Sequence, residues 1–524
     1  MRSQSGVLVC TVVLKPSVFS CPMNCSYCPT ETDLQGNPTQ PKSYLSTEPA
    51  MLRALQYNFD IREQIHDRIR SYIKTGNIDS SDTENESKKL EIIVSGGTFE
   101  SYPFKYRDEV MSDIYWACNS FSGGEVGEKK SIEDEIKINE TSKYRVIGLT
   151  IETRPDFITK TTIKDYRRWG VTRVQIGVQH YDDSILKKIN RECYVADTIR
   201  AIRLLKQTGF KVVCHLMPDL PNSSPKLDKW MFYQAINSPN LQFDDVKIYP
   251  TAVCQSENPN IIVKSEIADW YHDGKYIPYA ETNLEELINV LIYYKTNIQP
   301  WVRIQRLVRD IPRNSIKAGY ERISNLRQVL QNRMEKEGLK CNCIRCMEIK
   351  NSTGKPSVVR LVVRNYIASS GIEYFISIET HRQLTFFDFW KWLCVLGGLF
   401  YIVLSLLRGK TWYWGGDLDT YNGLIGFCRL RLDKNAGAGF IKEIENSAII
   451  REVHVYGNAI SVNKRDSGSS QHKGYGKLLV STAEQIAREN GYCKVSVIAG
   501  VGTREYYRNK CGYELEGTYM VKKL

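Results

Sequence analysis

The segment Cys21-Pro-Met-Asn-Cys25-Ser-Tyr-Cys28-Pro29 places three cysteines within eight residues of a 524-residue chain. A cubane iron–sulfur cluster held by thiolates normally takes four protein ligands, so three cysteines leave one iron open to a small molecule. A zinc knuckle needs a fourth Cys or His close by, and residues 1–60 offer Cys10 alone. A disulfide pair is the other simple alternative. We therefore predict a [4Fe-4S] cluster on Cys21, Cys25 and Cys28.

The C-x3-C-x2-C spacing is typical of radical S-adenosylmethionine (SAM) enzymes, in which the open iron chelates the amino and carboxylate groups of SAM. A buried strand at residues 6–15 leads into the cysteine loop. A second apolar strand, at residues 90–94, ends in Ser95-Gly96-Gly97-Thr98. Paired glycines let the backbone approach a ligand closely, although they are also common in plain turns. Gly96, Gly97 and Thr98 match the segment that holds the SAM amino group in this class.

Strands and helices then alternate along the chain. We predict strands at residues 146–151, 174–179, 211–216 and 246–249, helices near 48–74, 158–169, 183–207 and 283–297, and an exposed loop at 120–143. This α/β order predicts a parallel sheet curved into a partial (β/α) barrel. Such barrels place their sites at the carboxyl ends of the strands. The polar residues at those ends are Glu152, Arg154, Gln179, His215 and Asp219. Any one of these residues could instead serve only as a structural hydrogen-bonding group. We assign Glu152 and Gln179 to the binding of SAM.

A second cysteine set follows the barrel, at Cys341, Cys343 and Cys346. A basic helix is expected before it, over residues 315–336. C-x-C-x2-C is too tight for disulfides of good geometry and suits a thiolate metal site. We predict zinc with a remote fourth ligand, and three free thiols in a linker are the alternative.

The last hundred residues change character. A strand at residues 449–455 precedes Gln471-His-Lys-Gly474-Tyr475-Gly476-Lys477, which opens a helix reaching about residue 490. Such a helix start offers backbone N–H groups and a positive dipole end to a pyrophosphate. The segment resembles the coenzyme A loop of the GNAT acetyltransferase superfamily. The segment from Gly500 to Arg508 resembles the tyrosine helix of that superfamily, which makes Tyr506 and Tyr507 the catalytic candidates.

Longer motifs carry a closer resemblance. They are Ser-Gly-Gly-Thr-Phe, Thr-Ile-Glu-Thr-Arg-Pro-Asp, Met-Pro-Asp-Leu-Pro, Val-Arg-Asp-Ile-Pro, Glu-Val-His-Val-Tyr-Gly and Gly-Val-Gly-Thr-Arg-Glu-Tyr-Tyr-Arg. Over nearly the whole chain, the sequence resembles the family of the catalytic third subunit of Elongator, which modifies wobble uridine in tRNA. The resemblance implies acetyl-CoA contacts at Lys89, Glu452, Val453, His454, Val455, Tyr475, Gly476, Lys477 and Tyr507. Lys89 is the informative contact, because it lies on the barrel.

The resemblance also implies a reaction and partners. SAM cleavage at the cluster would activate the methyl group of acetyl-CoA, which adds to C5 of uridine 34 and, after thioester hydrolysis, leaves a carboxymethyl group. The tRNA anticodon loop would be the substrate, and the net charge of +12 favours a polyanion. Other Elongator-like subunits or a homodimer are expected partners, in the cytoplasm and also the nucleus. A protein lysine acetyltransferase and a noncatalytic tRNA-binding relic stay open as alternatives.

We expect three parts: the barrel at 1–314, the helix and cysteine-rich zinc linker at 315–356, and the α+β acetyltransferase domain at 357–524. A hydrophobic insert at about 381–418 interrupts the third part, and residues 392–407 are uncharged. That run is short of the roughly 20 residues of a membrane span. A single crossing would also separate two domains that share acetyl-CoA. Membrane contact through residues 384–407, and with it a membrane-associated location, is therefore the disfavoured alternative.

Overall fold

Two seven-stranded sheets organise the chain in the computed structural model. The structure describes residues 6–17, 19–78, 87–121, 127–320, 325–349, 358–381, 421–456 and 474–524. The predicted insert at 381–418 therefore lies, apart from His381, outside the described residues. Within the described ranges, no helix combines the length and apolar character that a membrane crossing requires.

The strands, in chain order, are β1 Val7–Val13, β2 Thr30–Thr32, β3 Lys88–Ser95, β4 Tyr144–Thr153, β5 Arg173–Gln179, β6 Lys211–Leu216, β7 Asp245–Ile248, β8 Ala252–Cys254, β9 Ile262–Lys264, β10 Arg303–Arg306, β11 Ile316–Gly319, β12 Val358–Ala368, β13 Gly371–His381, β14 Tyr421–Leu432, β15 Ala448–Val455, β16 Lys494–Val497, β17 Glu514–Glu516 and β18 Tyr519–Lys523.

The helices, in the same order, are α1 Pro49–Gln56, α2 Ile61–Lys74, α3 Phe104–Ser120, α4 Ile132–Asn139, α5 Lys160–Arg168, α6 Asp183–Lys188, α7 Val195–Gln207, α8 Pro225–Asn237, α9 Glu266–His272, α10 Tyr279–Thr282, α11 Leu284–Asn297, α12 Leu326–Lys336, α13 Ile344–Met347, α14 Tyr475–Glu489 and α15 Arg504–Tyr506.

The first sheet has the order β1-β3-β4-β5-β6-β7-β10, and every neighbouring pair is parallel. It curls through 223°, so it forms a half-barrel, which confirms the predicted partial barrel. Apolar residues of its strands pack against helices outside the sheet, which is the arrangement that alternating strands and helices favour. The carboxyl ends of the strands therefore meet at one rim of the half-barrel.

The second sheet has the order β12-β13-β14-β15-β16-β18-β17. Its pairs are antiparallel except for β15 with β16. That parallel pairing covers only Ala448–Ile450 against Val495–Val497. Beyond Ile450, β15 keeps β14 on one side, and among the described residues no strand lies on its other side. The sheet is therefore split between β15 and β16.

Two predicted helices are each broken into two. Residues 48–74 form α1 and α2, because Asn58 and Phe59 adopt positive φ values of 46° and 59° and Asp60 caps the second helix. Residues 183–207 form α6 and α7, because Asn190 and Glu192 both have φ of 50°. The hydrophobic periodicity of the sequence continues across both breaks, so it predicts one helix in each case. The residues with positive φ end the first helix of each pair.

Two other predictions need correction. The expected helix over residues 315–336 begins at Leu326, because Ile316–Gly319 is a strand paired antiparallel with β8. The expected exposed loop at 120–143 contains α4, whose first turn is capped by the Ser131 hydroxyl. Glu135 and Asn139 of α4 are buried and bond to neighbouring residues, so this segment belongs to the folded body.

A dry ionic cluster joins the half-barrel to the second sheet. Arg451 on β15 donates to Asp244 at 2.9 Å and to Glu373 on β13 at 3.0 Å, and Lys206 on α7 lies 3.5 Å from both carboxylates. All four side chains are fully buried. Although burial alone raises the pKa of Glu373, Arg451 and Lys206 lower it to about 2. The two sheets therefore share charges as well as an apolar core.

Candidate active site

The cysteine loop follows β1 at the rim of the half-barrel. Cys25 and Cys28 are joined by a turn in which the Cys28 N–H donates to the Cys25 carbonyl at 3.0 Å. The Lys42 ammonium donates to the Met23 carbonyl and, at 3.0 Å, to Asn24 Oδ1. These bonds hold the loop between its first two cysteines, so the sulfurs are positioned by the surrounding fold.

The three sulfurs of the cysteine loop are not all as close together as the ligands of a single zinc ion would be. Tetrahedral zinc, with Zn–S bonds near 2.3 Å, brings sulfurs to roughly 3.8 Å of one another. Among the described residues, the set of candidate ligands whose atoms all lie within 4.8 Å is Cys341, Cys343 and Cys346, and the three cysteines of the loop are not such a set. A wider spacing fits a multi-iron cluster and does not fit a single zinc.

Two buried arginines face the loop. Arg154 Nη1 lies 3.7 Å and Arg191 Nη1 3.6 Å from the Cys25 sulfur. Burial, together with the neighbouring Cys25 and Cys21, raises the pKa of the Cys28 thiol to about 12. Three thiolates can share this pocket only beside positive charge. The arginines supply part of it, and a cluster would supply the rest.

The glycine pair packs directly on the cysteine loop. Gly97 has φ of +89°, and a Cβ there would lie 2.7 Å from the Ser20 carbonyl oxygen. Thr98 donates its N–H to the same oxygen at 3.0 Å and its hydroxyl to Cys21 Sγ at 3.3 Å. A side chain at Gly96 would collide with Leu14. The end of β3 is therefore shaped to fit against the cluster ligands.

Glu152 and Gln179 lie on the wall beside the loop. Glu152 accepts the Tyr44 hydroxyl at 2.5 Å and lies 3.6 Å from His215 Nδ1. Gln179 is held at φ of +72°, and its Oε1 is buried without a hydrogen-bond partner in the described structure. A buried acceptor of this kind is suited to a polar ligand, since leaving it unpaired costs about 1 to 3 kcal/mol.

One cavity of about 1520 Å³ connects the cysteine loop with the second sheet. Its wall includes Cys21, Cys25, Cys28, Gly97, Thr98, Glu152 and Gln179 at one end, and Val453, His454, Val497, Ile498 and Tyr507 at the other. The second group lies where β15 and β16 part. The cavity is therefore continuous from the cluster ligands to the split in the sheet.

The start of α14 packs against Tyr506, although residues 474–477 are not part of the cavity wall. Gly474, with φ of +79°, precedes α14, and a Cβ at Gly476 would lie 2.9 Å from the Tyr506 hydroxyl oxygen. Tyr475 and Lys477 stand in the first turn of the same helix, while residues 471–473 lie outside the described ranges. Tyr507 is buried and lines the cavity, whereas Tyr506 is 37% exposed beside the helix start. The two tyrosines thus face different surroundings.

The predicted contacts on β15 are partly engaged within the protein. Glu452 accepts from Lys211 at 2.6 Å and from Arg429 at 2.9 Å. Burial alone raises its pKa, and these two cations lower it to about 2. Burial lowers the pKa of His454 to about 3, so its ring is neutral. Val453 and Val455 alternate with them along the strand beside the split.

Lys89 lies near the start of β3, opposite Val7 and Arg145 on the neighbouring strands. It makes no hydrogen bond or ion pair with the described residues, and it is not part of the cavity wall. Burial lowers its pKa, and its charge contributes to the low pKa of His454. The barrel lysine and the second sheet are thus within electrostatic reach, as the predicted shared contact requires.

The second cysteine set is compact. Cys341, Cys343 and Cys346 have sulfurs within 4.8 Å of one another, which fits one tetrahedral ion. Hydrogen bonds from the Cys341 and Cys346 thiols lower the pKa of the fully buried Cys343. Lys295 Nζ lies 3.9 Å from Cys346 Sγ. The chemistry of this donor set fits zinc.

Sequence reasoning missed several residues of the site. Arg191 lies in the break between α6 and α7, where the sequence showed only helix. Lys42 and Lys247 are single basic residues without a motif around them. Among the strand-end residues, Asp219 is turned away from the cavity wall, and it accepts the Tyr279 and Ala280 N–H groups at 2.8 and 2.9 Å.

Comparisons with known proteins cover the whole chain. Residues 17–226 match the radical SAM superfamily and residues 243–336 the radical SAM C-terminal domain. The tRNA uridine(34) acetyltransferase of Methanocaldococcus infernus is 36% identical over all of this chain and 87% of its own length. Elongator complex protein 3 of Dictyostelium discoideum is 34% identical over all of this chain and 83% of its own. The solved structure of archaeal M. infernus Elp3 lacking its N-terminus matches 99% of this chain and 100% of that one, with 34% identity and a TM-score of 0.75.

Proposed function

The chain belongs to the family of Elongator complex protein 3 and the tRNA uridine(34) acetyltransferases, and we propose that it transfers an acetyl-CoA-derived carboxymethyl group to C5 of uridine 34 in tRNA. Membership makes it a radical SAM enzyme that transfers an acyl group. A [4Fe-4S] cluster and SAM follow from the radical SAM superfamily. Acetyl-CoA, zinc and the individual ligands are our assignments.

The observation that carries the proposal is the continuous cavity. It offers one connected space to a cofactor at the cysteine loop and to a second cofactor at the split between β15 and β16. A protein lysine acetyltransferase has no use for the first of these. The cluster and SAM, when bound, supply the one-electron chemistry needed to activate an unreactive C–H bond.

We assign the residues of each end as follows. Cys21, Cys25 and Cys28 hold the cluster, with Arg154 and Arg191 balancing its charge. Gly96, Gly97, Thr98, Glu152 and Gln179 form the SAM site. Lys89, the β15 backbone at residues 452–455, the α14 start at 475–477 and Tyr507 form the acetyl-CoA site. Because Glu452 is engaged by Lys211 and Arg429, its contribution is through backbone.

We also propose that the chain divides into a half-barrel ending near residue 314, a zinc linker at 315–356, and an acetyltransferase domain from 357. Several relatives are named as parts of the Elongator complex, so we propose that the chain acts on tRNA with other subunits. A homodimer remains a prediction.

The test is to incubate reconstituted protein anaerobically with tRNA, SAM, acetyl-CoA and a reductant. Digested tRNA is then analysed by nucleoside mass spectrometry. We expect carboxymethyluridine that depends on all three small molecules. Acetylated lysine on added histone peptides, without modified tRNA, would instead support the protein acetyltransferase.

A further inference from the structure

Lys247 stands midway along the cavity, and the assignments above give it no role. It lies on β7 and lines the wall. Two residues earlier on the strand, Asp245 forms an ion pair with Lys211 at 3.2 Å. The Lys211 ammonium also donates a hydrogen bond to Glu452 of the acetyltransferase sheet. At about 3.3 Å per strand residue, the Cα of Lys247 is roughly 7 Å from that of Asp245, which connects through Lys211 to the second sheet.

In the other direction along β7, a chain of contacts connects Lys247 to the cluster end of the cavity. Tyr249, two residues further along, packs edge-on against His215 with ring centroids 5.5 Å apart. His215 Nδ1 lies 3.6 Å from Glu152, which is in our SAM site. Lys247 therefore lies between the two cofactor ends, where a base that receives the acetyl-derived carbon has to be placed.

Lys247 has a neutral partner only. Its ammonium donates to Gln175 Oε1, which also bonds His215 Nε2 at 3.0 Å. No carboxylate of the described residues comes within 4.0 Å of Lys247 Nζ, although Glu152 is near enough to act on its charge. An ammonium has three N–H donors and no acceptor, so two donors remain for the cavity.

Lys206 shows what the fold does with a buried lysine that has a structural role. Burial lowers the pKa of both lysines to about 8. Lys206 is compensated by Asp244 and Glu373, each at 3.5 Å. A buried charge without such a pair is costly. Lys247 has no such carboxylate among the described residues, and the side-chain amide of Gln175 orients its ammonium instead.

We propose that Lys247 donates a hydrogen bond to O4 of the uracil base and thereby selects uridine over cytidine at position 34. This inference rests on the proposed function. Uracil presents an acceptor at O4, where cytosine presents an amino group that donates. A donor-only side chain pairs with the first and opposes the second, and sites built on a specific hydrogen bond discriminate strongly.

The first test compares full-length Lys247→Met with the unaltered chain on tRNA bearing uridine 34. We expect carboxymethyluridine formation to fall about 10- to 100-fold, the loss expected for a charge-assisted hydrogen bond. Iron content, thermal midpoint and the Kd values of SAM and acetyl-CoA should not change. Lys275→Met, at an exposed lysine paired with Asp273, is the matched control and should keep full activity.

A second test locates the contact on the base. With 2-pyrimidinone, which lacks O4, at position 34, the unaltered chain should lose activity by the same factor, and Lys247→Met should lose nothing more. Lys247→Gln can donate or accept, so its ratio of uridine 34 to cytidine 34 modification should fall.

If the losses from Lys247→Met and from 2-pyrimidinone multiplied when combined, or if Lys247→Met raised the Kd of acetyl-CoA, Lys247 would act on the thioester. Either result would overturn this inference and leave the proposed function standing. Full activity of Lys247→Met would do the same. An unaltered chain that makes no carboxymethyluridine overturns the proposed function and this inference together.

Discussion

The two ends of the cavity are built from different parts of the chain. The cluster end consists of side chains: three sulfurs and the guanidinium groups of Arg154 and Arg191. The second end lies where β15 and β16 part after Ile450, and our proposal adds the backbone at the start of α14 beside it. Side chains can be removed one at a time and backbone cannot. We therefore expect all-or-none losses at the first end and graded losses at the second.

The largest expected effect is at the cluster end. Cys25→Ala should reduce iron from near four per chain to near zero and abolish SAM cleavage, because the remaining two thiolates cannot hold a cubane. Acetyl-CoA binding, measured by calorimetry, should stay as in the unaltered chain. Cys343→Ala is the matched control, since it should keep iron and lose zinc. If Cys25→Ala retained its iron, the cluster end would not depend on its individual side chains, and the contrast between the two ends would fail.

Tyr507→Phe should give the next largest effect, because Tyr507 is the one of the two catalytic candidates that is buried on the cavity wall. Loss of its hydroxyl should lower carboxymethyluridine formation by about 10²- to 10⁴-fold, the range for a positioned proton donor. Iron content, SAM cleavage and the thermal midpoint should be unchanged. Tyr506→Phe is the control, since that ring is partly exposed beside α14. Equal losses in the two variants would argue against a special role for Tyr507.

Lys89→Ala tests whether the half-barrel contributes to the second end. A charge-assisted hydrogen bond to a coenzyme A phosphate is worth about 1.5 to 3 kcal/mol, so the Kd of acetyl-CoA should rise roughly 10- to 150-fold. The full chain is titrated with acetyl-CoA, with Lys275→Ala as control. An unchanged Kd would place the whole acetyl-CoA site on the second sheet and favour the protein acetyltransferase alternative.

Gly476→Ala should have the smallest effect. The new Cβ meets the end of the Tyr506 ring, which can move, and alanine favours a helix by about 1 kcal/mol over glycine. We expect a loss of acetyl-CoA affinity below about 10-fold and a thermal midpoint that does not fall. A loss as large as that of Lys89→Ala would show that the backbone of α14 tolerates no displacement, which sharpens the contrast between the two ends.

The sequence predicted the radical SAM half-barrel well because its signals are residue types. Three cysteines at fixed spacing, a glycine pair after a strand, and alternating strands and helices all follow from local chemistry. Arg191 escaped prediction because its position depends on the break at Asn190, where two residues adopt positive φ. Hydrophobic periodicity does not reveal a break in a helix when the apolar residues keep the same spacing on both sides of it.

The acetyltransferase end was predicted from family motifs more than from physics. The split after Ile450 leaves no mark in the sequence of β15, which continues as an ordinary strand to Val455. The ionic cluster also escaped prediction, since Lys206, Asp244, Glu373 and Arg451 come from four distant segments. Only the folded chain brings such charges together.

That ionic cluster has a consequence for how the protein can be inherited and divided. Expressed alone, the half-barrel would keep Lys206 with Asp244 but lose Arg451 and Glu373, and the second sheet would keep Arg451 with Glu373 but lose the others. Separation would leave these charges to be solvated by water and would expose the apolar core residues that the two halves share. Gene fission between the two halves would therefore yield two fragments that fold poorly apart, so recombination should pass them on as a single unit.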